Sequence, residues 1–461
     1  MIASRSGEST TLPEADRPVL PLPEQDPFYR RPRGLNRVAP GAVLRSRPVE
    51  LALLGLIPQR ITATQLLFRS TDLHGRAEAT VTTLLLPYGA DPAAERPVVS
   101  FQCAIDAVAS KCLPSYAFRR GARALGSVPQ FELLLIEHAL TRGWAVSVPD
   151  HTGTAGRFGA PREPGHRILD GLRATLNFLN RPLDAPVALW GYSGGGLATT
   201  WAAELAATYA PELNILAAVL GSPVGDLEST FFRLNGSTFG GLATLCLAGL
   251  RRAYPALDRS LRENLDPASL ALLDRAEASA TIPLLLHSGR SRMDDLDGSA
   301  LATLRTLPEV RAVLTDLNPG ERPPRFPILA VQGVHDLIIP CGNVDRLIDR
   351  YRATGTPVRY LRDILGGHIS LGLLAAPLCE NWLADRFAQR PIPAATTKTV
   401  PSLAFSLPAV RGYLELASVL ARAMAARPLR ARRDDPASIP LNPAHPSELA
   451  PIVDAFGRGT P

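Results

Sequence analysis

Lysine is nearly missing from this chain of 461 residues: Lys111 and Lys398 are the only two among 49 basic residues, so the positive charge is carried by arginine. The formal balance of +6 is scattered rather than striped, and no zinc-finger, helix-turn-helix or RNP pattern accompanies it. That leaves no footprint for a nucleic-acid partner. Cysteine is scarce as well. Cys103, Cys112, Cys246, Cys341 and Cys379 lack C-x-x-C or metal-ligand spacing, which excludes a disulfide scaffold and gives no reason to expect a metal or other cofactor. Buried thiols and one or two disulfides both fit this count, with Cys341 and Cys379 placed to brace the loops they follow. The first forty residues are polar and proline-rich with no apolar core, so neither a signal peptide nor a transmembrane helix is expected at this start. The expectation is a cytoplasmic or peripheral protein. What remains is ordinary globular material, 46% hydrophobic and 20% charged.

The chain alternates between short apolar runs and helical periodicity. Thr64–Ser70 and Ala79–Leu86 read as an antiparallel pair. The runs 97–102, 144–148, 187–192, 215–220 and 328–332 read as strands buried on both faces of a parallel sheet. Between them, 131–142 and 165–179 carry apolar residues at helical spacing. This order predicts an α/β fold with a mostly parallel central sheet and helices on both faces. The alternation breaks once, over about a hundred residues with helical patterning at 239–252, 267–276 and 301–317, too long for a connection. We therefore expect an N-terminal arm over 1–45, a core over 46–221, a helical cap or lid inserted at 222–325, the second part of the core over 326–388, and an extension over 389–461. In that extension a helix is predicted at 409–426, before an arginine cluster. It either packs on the domain or makes peripheral contact with an anionic membrane surface.

Gly191-Tyr192-Ser193-Gly194-Gly195 supplies the chemistry. A strand that turns sharply into a helix holds its tip residue in a strained conformation, and Gly191 and Gly195 at the flanks remove the clash. The strand 186–190 and the helix 197–209 stand on either side of it. A serine hydroxyl is a weak nucleophile, so it needs a histidine to accept its proton and a carboxylate to orient that histidine. Asp336, in a loop after the strand at 326–332, and His368, in a glycine-flanked loop, follow in the order serine, acid, histidine. Asp363 and Asp316 are poorer acids by position, and His151 is the main competing base. Oxyanion donors are expected at Gly194 and in the loop 103–107, where Asp106 is the candidate; an Asp capping the next helix is the alternative for that residue.

The strings DPFY (Asp26–Tyr29), PGAVLRSR (Pro40–Arg47), CLPSYAF (Cys112–Phe118), GHRILDGLRA (Gly165–Ala174), LWGYSGGGLATTWAAELAATYAPELN (Leu189–Asn214), VQGVHDLIIP (Val331–Pro340) and GGHIS resemble the secretory lipase family. The resemblance runs over most of residues 25–388. It implies the α/β-hydrolase fold, a triad of Ser193, Asp336 and His368, and an oxyanion hole from Asp106 and Gly194. It also implies a lid over an acyl-chain tunnel, and an acylglycerol or other lipid-like ester as substrate at a lipid–water interface. Esterase, thioesterase or peptidase activity on small soluble substrates is the alternative, and a non-catalytic binding protein on this fold is a further one. Members are usually exported, whereas this start carries no signal peptide.

Overall fold

The computed structural model describes residues 19–288, 303 and 305–432. Its strands are β1 (Val43–Pro48), β2 (Ala52–Leu53), β3 (Ile57–Pro58), β4 (Thr62–Thr71), β5 (Ala77–Leu86), β6 (Val98–Gln102), β7 (Ala145–Pro149), β8 (Val187–Tyr192), β9 (Ile215–Gly221), β10 (Ile328–Gly333), β11 (Val358–Asp363) and β12 (Thr396–Val400). Ten of them form one sheet in the order β1-β4-β5-β7-β6-β8-β9-β10-β11-β12, and β2 and β3 pair separately. From β7 to β12 neighbouring strands are parallel, while β1, β4 and β5 form an antiparallel flank. This is the expected α/β-hydrolase architecture.

The apolar runs are buried on both faces because alternate side chains enter different cores. Val187 and Leu189 of β8 join a cluster with Ile168, Leu172 and Trp201, whereas Ala188 and Trp190 join one with Phe101, Leu133 and Trp382. The helices Glu163–Phe178 and Gly194–Tyr209 thus cover one face, and Pro129–Thr141 and Ala376–Phe387 the other.

Between β9 and β10 the described residues form helices Leu227–Leu234, Gly240–Ala253, Pro255–Asn264, Pro267–Ala278, Thr281–Ser288 and Pro308–Asp316, and no strand. The first, third and fifth were not foreseen, being only eight to ten residues long. Of the helix expected over 301–317, residues 303, 305 and 306 are helical, Leu307 breaks the run, and Pro308 opens the helix Pro308–Asp316; residues 301, 302 and 304 lie outside the described residues. Two strands of the ten-stranded sheet were also missed, as was the short pair β2 and β3. β1 begins at Val43, inside the stretch read as an arm, and its alternation is masked by Arg45 and Arg47, which bond backwards to the Phe28 carbonyl and to Asp26. β12 (TTKTV) lies in the extension and pairs along β11 from Arg359 to Asp363. Its polar, exposed side chains suit a sheet edge.

Candidate active site

β8 ends at Tyr192, and the next residue, Ser193, adopts φ 55° and ψ −121° before the helix Gly194–Tyr209 begins. A positive φ at a non-glycine residue costs about 1–3 kcal/mol, so the surroundings must impose it. They do so by backbone contact. Ser193 N donates to Gly221 O at 2.8 Å, and a side chain at Gly191 or Gly195 would collide with Gly195 O or Gln102 O respectively. The hydroxyl is thereby held out at the C-terminal edge of the sheet.

The structure brings Asp336 and His368 to this hydroxyl. His368 Nε2 lies 2.8 Å from Ser193 Oγ, and Nδ1 lies 2.7 Å from Asp336 Oδ2. A carboxylate can only accept, so Nδ1 carries the proton and Nε2 presents its lone pair to the serine. Asp336 is buried, and its other oxygen accepts from Ile338 N at 2.8 Å and Ile339 N at 2.9 Å. Burial works against its charge, but the His368 ring and these two amides outweigh it and hold the carboxyl below its usual range. The backbone of His368 is fixed in turn, since Tyr192 Oη donates to His368 O at 2.6 Å and receives Ser222 Oγ at 2.9 Å.

Asp106 also sits at a positive φ, 40°, and its carboxylate packs on Gly194 so closely that a Cβ there would strike it. It caps no helix: the next helical turn, Ser110–Cys112, starts from Ala109, and Asp106 Oδ1 is buried without a hydrogen-bond partner among the described residues. Burial pushes this carboxyl up to about 6, against the pull of the His368 charge. The loop around it is braced from elsewhere. Ala104 N donates to Glu132 Oε2 at 2.9 Å, His151 Nε2 lies 2.7 Å from Cys103 O, and Thr281 Oγ1 donates to Asp106 O at 2.9 Å. Gly194 opens its helix, so its N–H has no intrahelical acceptor.

The pattern that defines the secretory lipases matches residues 118–394. The chain belongs to the secretory lipase family. It is 35% identical over 397 residues to lipase A of Arthroderma benhamiae, covering 82% of each chain. It is 47% identical over 422 residues to a Mycobacterium tuberculosis protein named a probable inactive lipase, covering 91% of this chain and 95% of that one. The crystal structure of Candida antarctica lipase A in its closed state superposes with a TM-score of 0.76 at 27% identity, covering 87% of this chain and 96% of that one.

In this member of the family the competing residues do other work. Burial pushes the His151 ring down to about 4, so it stays neutral as a prop for Cys103. His335 is exposed, Asp363 accepts from Gly366 N and Leu403 N, and Asp316 binds Arg162 through both oxygens. All five cysteines are free, so Cys341 and Cys379 form no brace. Tyr192, Ser222, Glu132 and Thr281 escaped the sequence reading. Only Tyr192 had a signal, as the second residue of the elbow.

Proposed function

We propose that this chain is a serine ester hydrolase cleaving acylglycerols or similar lipid esters through an acyl-enzyme at Ser193. The observation that carries the reading is the continuous hydrogen-bonded series from Ser193 Oγ through the His368 ring to the Asp336 carboxylate, at the tip of a strained elbow. As Oγ attacks the ester carbonyl, Nε2 takes its proton and Asp336 stabilises the imidazolium. The N–H groups of Asp106 and Gly194 hold the developing oxyanion. His368 then returns the proton to the departing alcohol, and a water deprotonated by the same ring releases the fatty acid.

The helices between β9 and β10 act in this reading as a lid that receives the acyl chain. They enclose an apolar cavity of about 60 Å³ whose lining includes Leu227, Phe231, Cys246, Leu250 and Val310. Cys246 links the two places, since burial and the nearby Asp106 carboxylate push its thiol up to about 12. The cavity is too small for a whole acyl chain, so in this reading medium or long chains are favoured only once the lid opens an apolar tunnel beside it.

The relative named a probable inactive lipase favours a second reading, a hydrolase fold that binds without turnover. A fluorophosphonate probe separates the two. Labelling of the wild type but not of Ser193→Ala, with turnover of p-nitrophenyl esters rising with acyl length, supports the lipase. An unlabelled wild type gives the second reading.

A further inference from the structure

The helix Leu407–Met424 has two apolar faces, and the described residues cover only one. Ala409, Leu416, Val419 and Ala423 are buried on the body, while Val410, Leu414, Ala417, Ala421 and Met424 are exposed. Their spacing of four, three, four and three residues keeps the exposed set within one stripe of a 3.6-residue helix. Leu414 alone is 69% exposed. The charge beside this stripe has one sign. Arg411 and Arg422 flank it and Arg427 and Arg430 follow it, all exposed, whereas Glu415, the helix's one acid, is taken by Arg432 at 2.6 Å.

The stripe continues toward His368. Tyr413 Oη donates to Leu374 O at 2.6 Å, Leu365 N donates to Pro401 O at 3.1 Å, and Leu403 N donates to Asp363 Oδ2 at 2.6 Å. These bonds stitch 363–374 to 400–413, and on these segments Ile369, 77% exposed, Leu373 and Phe405, 73% exposed, are uncovered as well. Uncovered aliphatic surface of this extent marks an interaction site.

We propose that this surface seats the protein on an anionic lipid membrane, with the stripe in the headgroup layer and the arginines on lipid phosphates. A second copy fits less well, because a two-fold contact here would bring the same exposed arginines together. No helix among the described residues is long and apolar enough to cross a membrane, so the contact is peripheral. The ester-hydrolase reading gives the contact its use, since Ile369 follows His368 directly. Binding itself does not require Ser193.

The test is co-sedimentation of the full chain carrying Ser193→Ala with phosphatidylcholine vesicles, with and without added phosphatidylglycerol. We expect binding to the anionic vesicles that weakens with salt. Leu414→Asp should reduce the partition coefficient about tenfold by removing buried apolar area, and Arg422→Gln with Arg427→Gln should reduce it by a similar factor for anionic vesicles only. In the Ser193 background both sets should leave short-ester turnover and melting temperature unchanged. Absence of binding to anionic vesicles, or unaltered binding by Leu414→Asp, overturns the proposal. So does a dimer in solution that Leu414→Asp splits without any vesicle binding.

Discussion

Apart from the His368 ring that it orients, the Asp336 carboxylate is held by groups within four residues of it in the chain, whereas the loop bearing Asp106 is held by side chains from three distant elements. Asp336 takes the amides two and three positions ahead of it, and its own side chain holds the ring of His368. The loop 103–107 has one internal bond, from Ile105 N to Cys103 O, and otherwise depends on Glu132 of the helix Pro129–Thr141, His151 after β7 and Thr281 of the helical insertion. A site half of which is local and half assembled from afar should fail in two different ways. Changes on the local side remove a chemical group, while changes on the assembled side misplace one.

The largest effects should fall on the local side. Ser193→Ala is expected to lower kcat/KM on a p-nitrophenyl ester by at least about 10⁴-fold, and Asp336→Asn by about 10³- to 10⁴-fold, because the amide favours the wrong tautomer of His368. A loss below tenfold in Asp336→Asn would mean that the 2.7 Å contact does not orient the base.

On the assembled side, Thr281→Val removes a hydroxyl without changing shape. The Asp106 carbonyl then loses its partner, and a lost bond of about 1 kcal/mol at a positioning group corresponds to roughly a five- to tenfold fall in kcat. KM should hold, and Thr281→Ser should recover the rate. If Thr281→Val lowers kcat and KM in proportion, or Ser fails to rescue, the bond does not set the loop. Because Thr281 comes from the insertion, this variant also asks whether seating of the lid and order in the oxyanion loop are coupled.

The same division explains what could be read from the chain. Ser193, Asp336 and His368 were legible because each follows a strand within a few residues with glycines beside it, so local spacing implied their convergence. The parallel strands were legible because burial on both faces removes every polar residue from β6 and β10 but one or two. Thr281 and Glu132 were not, since a threonine in TIPLLL and a glutamate in FELLL carry no sign of a partner 175 or 28 residues away. β1 and β12 were hidden because edge strands expose one side, which breaks the apolar run. Asp106 lay between. Its loop was identified, but that Asp106 caps no helix and packs on Gly194 is visible only in space.

Glu132 and Glu137 lie on one helix and make the finest test of this contrast. Burial pushes each up to about 8 from 4.5. Glu132 accepts from the loop 103–107, whereas neither oxygen of Glu137 has a hydrogen-bond partner among the described residues. A carboxyl raised in the folded state lends its full stability below the unfolded value and loses it as pH rises toward and through the folded one. Stability should therefore decline from pH 4.5 to about 8 on account of both groups. Glu137→Gln removes one source of that decline, so the melting midpoint should rise by roughly 3–5 °C near pH 9 and change little near pH 5. Ester turnover should not move. Glu132→Ala should show the alkaline gain offset by a cavity, together with a fall in kcat of about fivefold from the freed Ala104 amide. An equal shift of the Glu137→Gln midpoint at both pH values would show that ionisation is not the cause. A loss of turnover in that variant would place Glu137 among the braces of the loop.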